Sequence, residues 1–268
     1  MRPQAHGPVA EAVSVAARTP TASRRIAAAK AAATDCRRGT RAGQTLAVTN
    51  PRPPVRRATH RSAARELAGR DPVLASLIEA AGPPVFRRPL ETPFAALARS
   101  VLYQQLAGPA ASAIHGRLVT AMGDPNSPAA LLGLSDGELR TIGLSRAKAE
   151  SLRDLAAKVL DGTVELGARR LARAKDEEIV SHLSTVRGIG RWTAQMFLMF
   201  QLRRLDVWPT GDFGVRRGYG LAWGVPPPSA RDLEPLGDRF RPYRSVAAWY
   251  CWRACELYAG AEKSALTR

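Results

Sequence analysis

Leu183-Ser184-Thr185-Val186-Arg187-Gly188-Ile189-Gly190-Arg191-Trp192-Thr193-Ala194 is the stretch on which the reading of this 268-residue chain turns. Two glycines flank an isoleucine between two helical patterns, Asp176 to Thr185 and Trp192 to Leu202. Glycine lets a backbone turn tightly and lets another surface approach it closely. The second helix starts at once, so its unsatisfied N–H groups and the positive end of its dipole lie at the turn. An anion is the natural ligand of such an end, and a DNA phosphate fits because that contact reads no sequence. Gly188 and Gly190 offer backbone N–H groups, and Thr193 adds a hydroxyl. The carbonyls of Ser184, Val186 and Ile189 face the other way and are candidates for holding a monovalent cation, Na+ or K+. Taken alone, the segment is equally an ordinary helical hairpin with a glycine turn.

Working outward, the period stays helical from Arg65 onward. Thr92-Pro93 supplies an N-cap and a proline at the first helical position. Phe94, Leu97, Ala98, Val101, Leu102 and Gln105 follow the spacing of one buried face. Gly108-Pro109 is read as the break of that helix, and Ala110, Ala113, Ile114, Arg117 and Leu118 as the stripe of the next. Ser135 with Glu138 is a capping box, and Ser145 opens a helix with Leu152, Leu155, Ala156 and Val159 inside. Ser229 with Asp232, and later Pro242, start the last two. No run alternates apolar and polar residues over the length of a strand. The fold class is all-α, with nine or ten helices.

Forty Lys+Arg against 23 Asp+Glu give a net charge of +17, which implies a polyanionic partner, most simply nucleic acid. The charge is uneven. Residues 1–65 hold 13 basic and 2 acidic side chains with few large apolar ones, and are predicted to be a disordered basic N-terminal tail. Such a tail is a phosphate-binding arm, a transit-like segment or a dispensable extension. Residues 66–268 carry a net +6 and enough apolar residues for a packed domain. No stretch approaches the roughly 18 apolar residues of a membrane span, so a soluble cytoplasmic, nucleoid-associated protein is expected, with no membrane partner. Cysteines at 36, 251 and 255 are too few for a disulfide scaffold or a four-thiolate cluster, and histidines 6, 60, 115 and 182 are dispersed.

The pattern V-R-G-I-G-R-W-T-A-Q-M-F (186–197), followed by D-V-W-P-T-G-D-F-G-V-R-R-G (206–218), resembles the helix-hairpin-helix (HhH-GPD) glycosylase superfamily of base-excision repair. Within it the chain is most similar to the DNA-3-methyladenine glycosylase II branch. F-A-A-L-A-R-S-V-L-Y-Q-Q-L-A (94–107), G-L-S-R-A-K-A-E-S-L-R-D-L-A (143–156) and R-P-Y-R-S-V-A-A-W-Y-C-W-R (241–253) agree in the same order, so the likeness spans roughly residues 85–258. It implies two helical lobes with a cleft between them, and hydrolysis of the N-glycosidic bond of alkylated purines in double-stranded DNA after base flipping.

The resemblance puts the catalytic aspartate at Asp212, twenty residues after Trp192. A carboxylate there stabilises the oxocarbenium-like sugar left when a base departs, and it can orient or deprotonate water. Capping of a helix starting near Phe213 is a compatible role. Trp192 and Trp252 match pocket positions, and an indole face suits a cationic base. Met196 stands where some relatives have Tyr, and Tyr103 and Trp208 are further pocket candidates; any of these is otherwise a core residue. Gln104, Gln105 and Leu106 fall where the family inserts a side chain into the gap left by the flipped nucleotide, with Gln105 and Leu106 both open as the wedge. Arg191, Arg216, Arg217 and Arg244 are candidates for phosphate contacts or solvated surface.

Lyase-competent relatives carry Lys where this chain has Trp192, so a monofunctional enzyme that leaves an abasic site is expected. Cys251 and Cys255 lack the partners an iron–sulfur cluster needs, and no such cofactor is expected. A monomer suffices. The alternatives are a non-catalytic helix-hairpin-helix protein that binds damaged or abasic DNA, and a superfamily enzyme for oxidised or mismatched bases.

Overall fold

The computed structural model describes residues 58–266, with side chains through Tyr258. Among the described residues there are thirteen α-helices and no strand. In order they are α1 (His60–Arg70), α2 (Pro72–Ala81), α3 (Pro93–Tyr103), α4 (Gly108–Met122), α5 (Pro128–Gly133), α6 (Asp136–Ile142) and α7 (Arg146–Leu160). Then follow α8 (Ala168–Arg173), α9 (Asp176–Leu183), α10 (Arg191–Met196), α11 (Phe213–Trp223), α12 (Ala230–Leu236) and α13 (Arg244–Leu266). The expected nine or ten is too few; two of the additional helices, α5 and α8, are six residues each and too short to show a period. The folded part also starts earlier than residue 66. Thr59 caps α1, which buries Ala63 and Ala64, so residues 60–65 are helix rather than tail. The remainder of the predicted tail, residues 1–57, lies outside the described residues.

The chain divides into two compact units. Residues 86–213 form one and carry α3 to α10. Its helix α3 begins as its sequence dictates, with the Thr92 hydroxyl accepting the Ala95 N–H at 3.4 Å and Pro93 in the first turn. Phe94, Leu97, Ala98, Val101 and Leu102 are buried as predicted. Gln105 is not. The helix ends at Tyr103, and Gln105 is exposed with a left-handed φ of 57°. Gly108-Pro109 therefore opens α4 rather than breaking α3, and α4 buries Ala111 and Leu118 rather than the full predicted stripe.

What stops α3 is a lysine. The Lys148 ammonium on α7 donates to the carbonyls of Val101 (3.2 Å), Leu102 and Gln104 (2.6 Å), taking up acceptors that a helix end leaves unsatisfied. Desolvation at that place pushes the Lys148 pKa down from its ordinary value. Helix α7 is the axis of the unit. Ser145 caps it, Leu152, Leu155 and Ala156 are buried along it, and α3 and α5 pack against it. Each such leucine contributes roughly 1.5–3 kcal/mol by burial. The predicted box of α6 forms reciprocally, Ser135 N–H to Glu138 at 2.7 Å and Glu138 N–H to Ser135 at 3.2 Å.

Residues 58–85 and 214–266 form the second unit. Here α13 packs on α1 and α2. Asp71 caps α2 through the N–H groups of Val73 and Leu74, accepts the Trp223 indole N–H at 3.4 Å and faces Arg239 at 3.6 Å. The Arg239 guanidinium lies over the rings of Trp223 (4.8 Å) and Phe240 (4.7 Å) and donates to the Tyr219 hydroxyl at 2.8 Å. Helices α11 and α13 touch backbone to backbone. A Cβ on Gly218 would sit 1.8 Å from the Cys251 carbonyl oxygen, so only glycine fits.

Candidate active site

The hairpin between α9 and α10 is shaped by α7, far away in sequence. Gly188 holds φ 78°, and a Cβ there would lie 2.7 Å from the Ser151 hydroxyl. The residue must be glycine for both reasons. One turn further along α7, the Asp154 carboxylate accepts the Arg187 N–H at 2.7 Å and the Lys158 ammonium at 2.8 Å. Lys158 also donates to the Thr185 carbonyl at 2.6 Å, and Glu150 pairs with the Arg187 guanidinium at 2.8 Å. From the other side, the Gln104 amide donates to the Gly188 carbonyl at 2.9 Å and approaches the Thr193 hydroxyl at 3.4 Å.

Gln104 is thus turned onto the hairpin, Gln105 beside it is exposed, and Leu106 is half-buried. The second glycine differs from the first. Gly190 has φ −92°, caps α10 without a side-chain bond, and nothing lies within 4 Å of a Cβ placed on it. The Val186 carbonyl accepts the Ile189 N–H at 3.0 Å, which uses one of its two lone pairs and is compatible with a cation taking the other. Arg191 makes a two-pronged pair with Glu177, whose carboxyl that guanidinium holds below the usual range.

Past the hairpin, α10 runs into one wider π-type turn over Phe197–Gln201. Met196, Phe197, Leu198 and Met199 are buried there, so Met196 lies in the core of its unit. The chain then returns through Val207 and Trp208, both buried, and a tight turn in which the Asp212 N–H donates to the Pro209 carbonyl at 2.9 Å. Gln195 on α10 reaches the Trp208 carbonyl at 3.5 Å.

The turn brings the half-buried Asp212 carboxylate to the half-buried Trp192 indole, whose Nε1–H donates to Oδ2 at 2.7 Å. Two residues twenty apart, singled out separately in the sequence, are therefore one hydrogen-bonded pair. Trp208 is core at 3% exposure. Tyr103 is half-buried, edge-on to His115 at 6.1 Å with Arg99 over its ring at 5.8 Å. Trp252, Arg216, Arg217 and Arg244 belong to the other unit, Trp252 half-buried on α13 and Arg216 and Arg217 on α11.

Sequence reasoning missed the residues that hold the hairpin in shape. Lys148, Ser151, Asp154 and Lys158 recur every three or four positions on α7, a polar face alongside the buried leucines. That spacing was the available signal, and it is the same signal a solvated face gives.

A glycine hairpin followed, twenty residues after Trp192 at the start of its second helix, by a carboxylate paired back to that residue is the arrangement of a helix-hairpin-helix protein with a candidate catalytic loop. Residues 98–241 match the HhH-GPD superfamily of base excision DNA repair proteins, and the chain belongs to that superfamily. The chain is 32% identical over 168 residues to DNA-3-methyladenine glycosylase 1 of Schizosaccharomyces pombe, covering 62% of this chain and 73% of that one. A crystal structure of a DNA-3-methyladenine glycosidase from Bacillus halodurans is similar with a TM-score of 0.68 at 34% identity, over 74% of this chain and 91% of that one. The structure of the S. pombe 3-methyladenine DNA glycosylase in complex with abasic DNA is similar with a TM-score of 0.62 at 31% identity, over 71% and 95%.

Proposed function

We propose that this protein is a base-excision repair glycosylase that hydrolyses the N-glycosidic bond of alkylated purines, of the 3-methyladenine kind, in duplex DNA and leaves the strand intact. The observation that carries this reading is the Asp212 carboxylate, presented on a turn one residue before α11 and held by the Trp192 N–H. When the C1′–N bond breaks, its electron pair leaves with the base and the sugar becomes oxocarbenium-like; the carboxylate stabilises that charge. Water adds its oxygen to C1′ and gives up a proton, for which Asp212 is the acceptor. An N3- or N7-alkylated purine is already cationic and departs neutral, so no strong general acid is required.

The base has to leave the stack first. Gln105, exposed at a left-handed backbone position beside the hairpin, is favoured over the half-buried Leu106 as the side chain that fills the gap. The open surroundings of Gly190 support a phosphate at the start of α10. The carbonyls of Ser184, Val186 and Ile189 are the residues that would hold Na+ or K+, which would add positive charge beside that phosphate. An indole nitrogen cannot form a Schiff base, and this supports a monofunctional enzyme.

The test is release of methylated purines from methylated duplex DNA by the wild type and by Asp212→Asn. Release by the wild type alone, without strand scission, is expected. Equal release by both would end the assignment of Asp212, and release by neither, with tight binding to abasic DNA, would favour a non-catalytic binder.

A further inference from the structure

We infer that Trp192 is a positioning residue for the Asp212 carboxylate, acting through its indole N–H, and not only an aromatic wall for a flipped base. The inference rests on the reading that Asp212 acts at the sugar. A carboxylate at the end of a two-bond side chain turns in a broad torsional well and has no fixed direction of its own. The buried Val207 and Trp208 hold the backbone that leads to Asp212, but they do not set the torsion of its carboxylate. Its partner sits on a fixed element. Trp192 is the second residue of α10, and Thr193, Ala194, Gln195 and Met196 that follow it are all buried. Gln104 approaches Thr193 at 3.4 Å, and Gln195 reaches the loop that carries Asp212 at the Trp208 carbonyl, 3.5 Å away. The donor at 2.7 Å therefore comes from a helix whose following residues are all buried to a side chain whose own torsion is free.

The chemistry of the donor matters as much as its place. An indole N–H is neutral, so it orients the carboxylate without itself cancelling the negative charge that the sugar cation needs. An ammonium or guanidinium at the same distance would orient it as well, but would cancel much of the charge that does the work. Trp192 is thus a neutral donor that aims the carboxylate. Because a misplacement of about 1 Å can cost about 100-fold in rate, the aim is worth a large part of the catalysis.

The experiment is single-turnover base release by Trp192→Phe, which keeps an aromatic face and loses the N–H. A second variant replaces Trp192 with 3-benzothienylalanine, in which sulfur stands for the N–H within the same bicyclic frame, so folding and stacking are kept. The expected result is a rate lower by about 10- to 100-fold for both variants, the usual worth of a hydrogen bond to a charged group. The factor should be the same for 3-methyladenine and 7-methylguanine, since the carboxylate acts on the sugar and not on the base. Affinity for abasic duplex should stay within about twofold of the wild type, and neither variant should lower the rate further in an Asp212→Asn background. Wild-type rates in the benzothienyl variant would overturn the inference, as would a loss that depends on the base and persists with Asn at 212. A failure of the underlying reading looks different: Asp212→Asn itself would then turn over at the wild-type rate.

Discussion

The hairpin turn and the loop ending at Asp212 leave opposite ends of the same helical segment, and they are held in opposite ways. The turn at 184–190 is gripped by polar side chains: Asp154, Lys158 and Glu150 from α7, and Gln104 from the end of α3. The loop at 206–212 is pinned by apolar burial of Val207 and Trp208, with the Gln195 amide at the Trp208 carbonyl, and the Asp212 carboxylate at its end accepts the Trp192 N–H. On the proposed function the first surface meets phosphates and has to stay polar and open, so it is braced by hydrogen bonds and charge. A carboxylate that must act in a fixed direction is better carried on a packed anchor. Damage to the first region should be read in stability and DNA affinity, and damage to the second in rate.

The largest effect that sharpens this contrast is Asp212→Asn. Base release should fall by about 100- to 1,000-fold, the cost of removing one preorganised electrostatic partner of a transition state. The asparagine oxygen still accepts the Trp192 N–H, so the thermal midpoint should stay within about 2 °C of the wild type. A parallel fall in midpoint and rate would erase the division between the two regions.

The two glycines of the hairpin divide the same way within one turn. Gly188→Ala places a methyl against Ser151 in a left-handed conformation, and should lower unfolding free energy by about 1–3 kcal/mol in a urea titration. Adding Ser151→Ala should recover the clash but not the backbone strain. Gly190→Ala meets no atom within 4 Å at φ −92°, so the urea midpoint should not move. Its effect should be a DNA affinity weaker by about 3- to 10-fold, about 1 kcal/mol, measured by fluorescence anisotropy. Equal loss of stability in both would mean that Gly190 serves the fold and not the ligand.

Much of this architecture was legible because it is written locally. Thr92-Pro93, Ser135 with Glu138, and Ser145 each announce a helix start from residues within one turn of it, and each start is where it was expected. The end of α3 was not legible, because it is set by Lys148, more than forty residues on, and no local pattern marks a lysine as a cap for another helix. The same holds for the site. Asp212 and Trp192 were each visible through their motifs, yet their hydrogen bond depends on how the Val207-Trp208-Pro209 segment buries. The resemblance put Gln104 beside the flipped nucleotide, and the fold uses its amide to tie down Gly188.

A pH-dependent effect tests whether the hairpin's grip is ionic. Burial alone would raise the Asp154 pKa, but the Lys158 ammonium and the Arg187 N–H outweigh it, and the carboxyl is held below the ordinary 3.8 of an aspartate. A carboxyl whose folded pKa is depressed stabilises the fold above its unfolded value, and that stability is lost as pH falls through the folded value. Asp154→Asn should therefore be less stable than the wild type at pH 6, by about 1–2 kcal/mol for the lost charge-assisted bonds. The gap should hold down to about pH 4 and narrow below it, as the wild-type carboxyl takes up its proton and becomes the equal of an amide. Urea midpoints of the two proteins at pH 6, 4 and 3 decide it. A gap as wide at pH 3 as at pH 6 would mean that Asp154 holds the turn by shape rather than by charge, and the contrast with the packed loop at Asp212 would have to be redrawn.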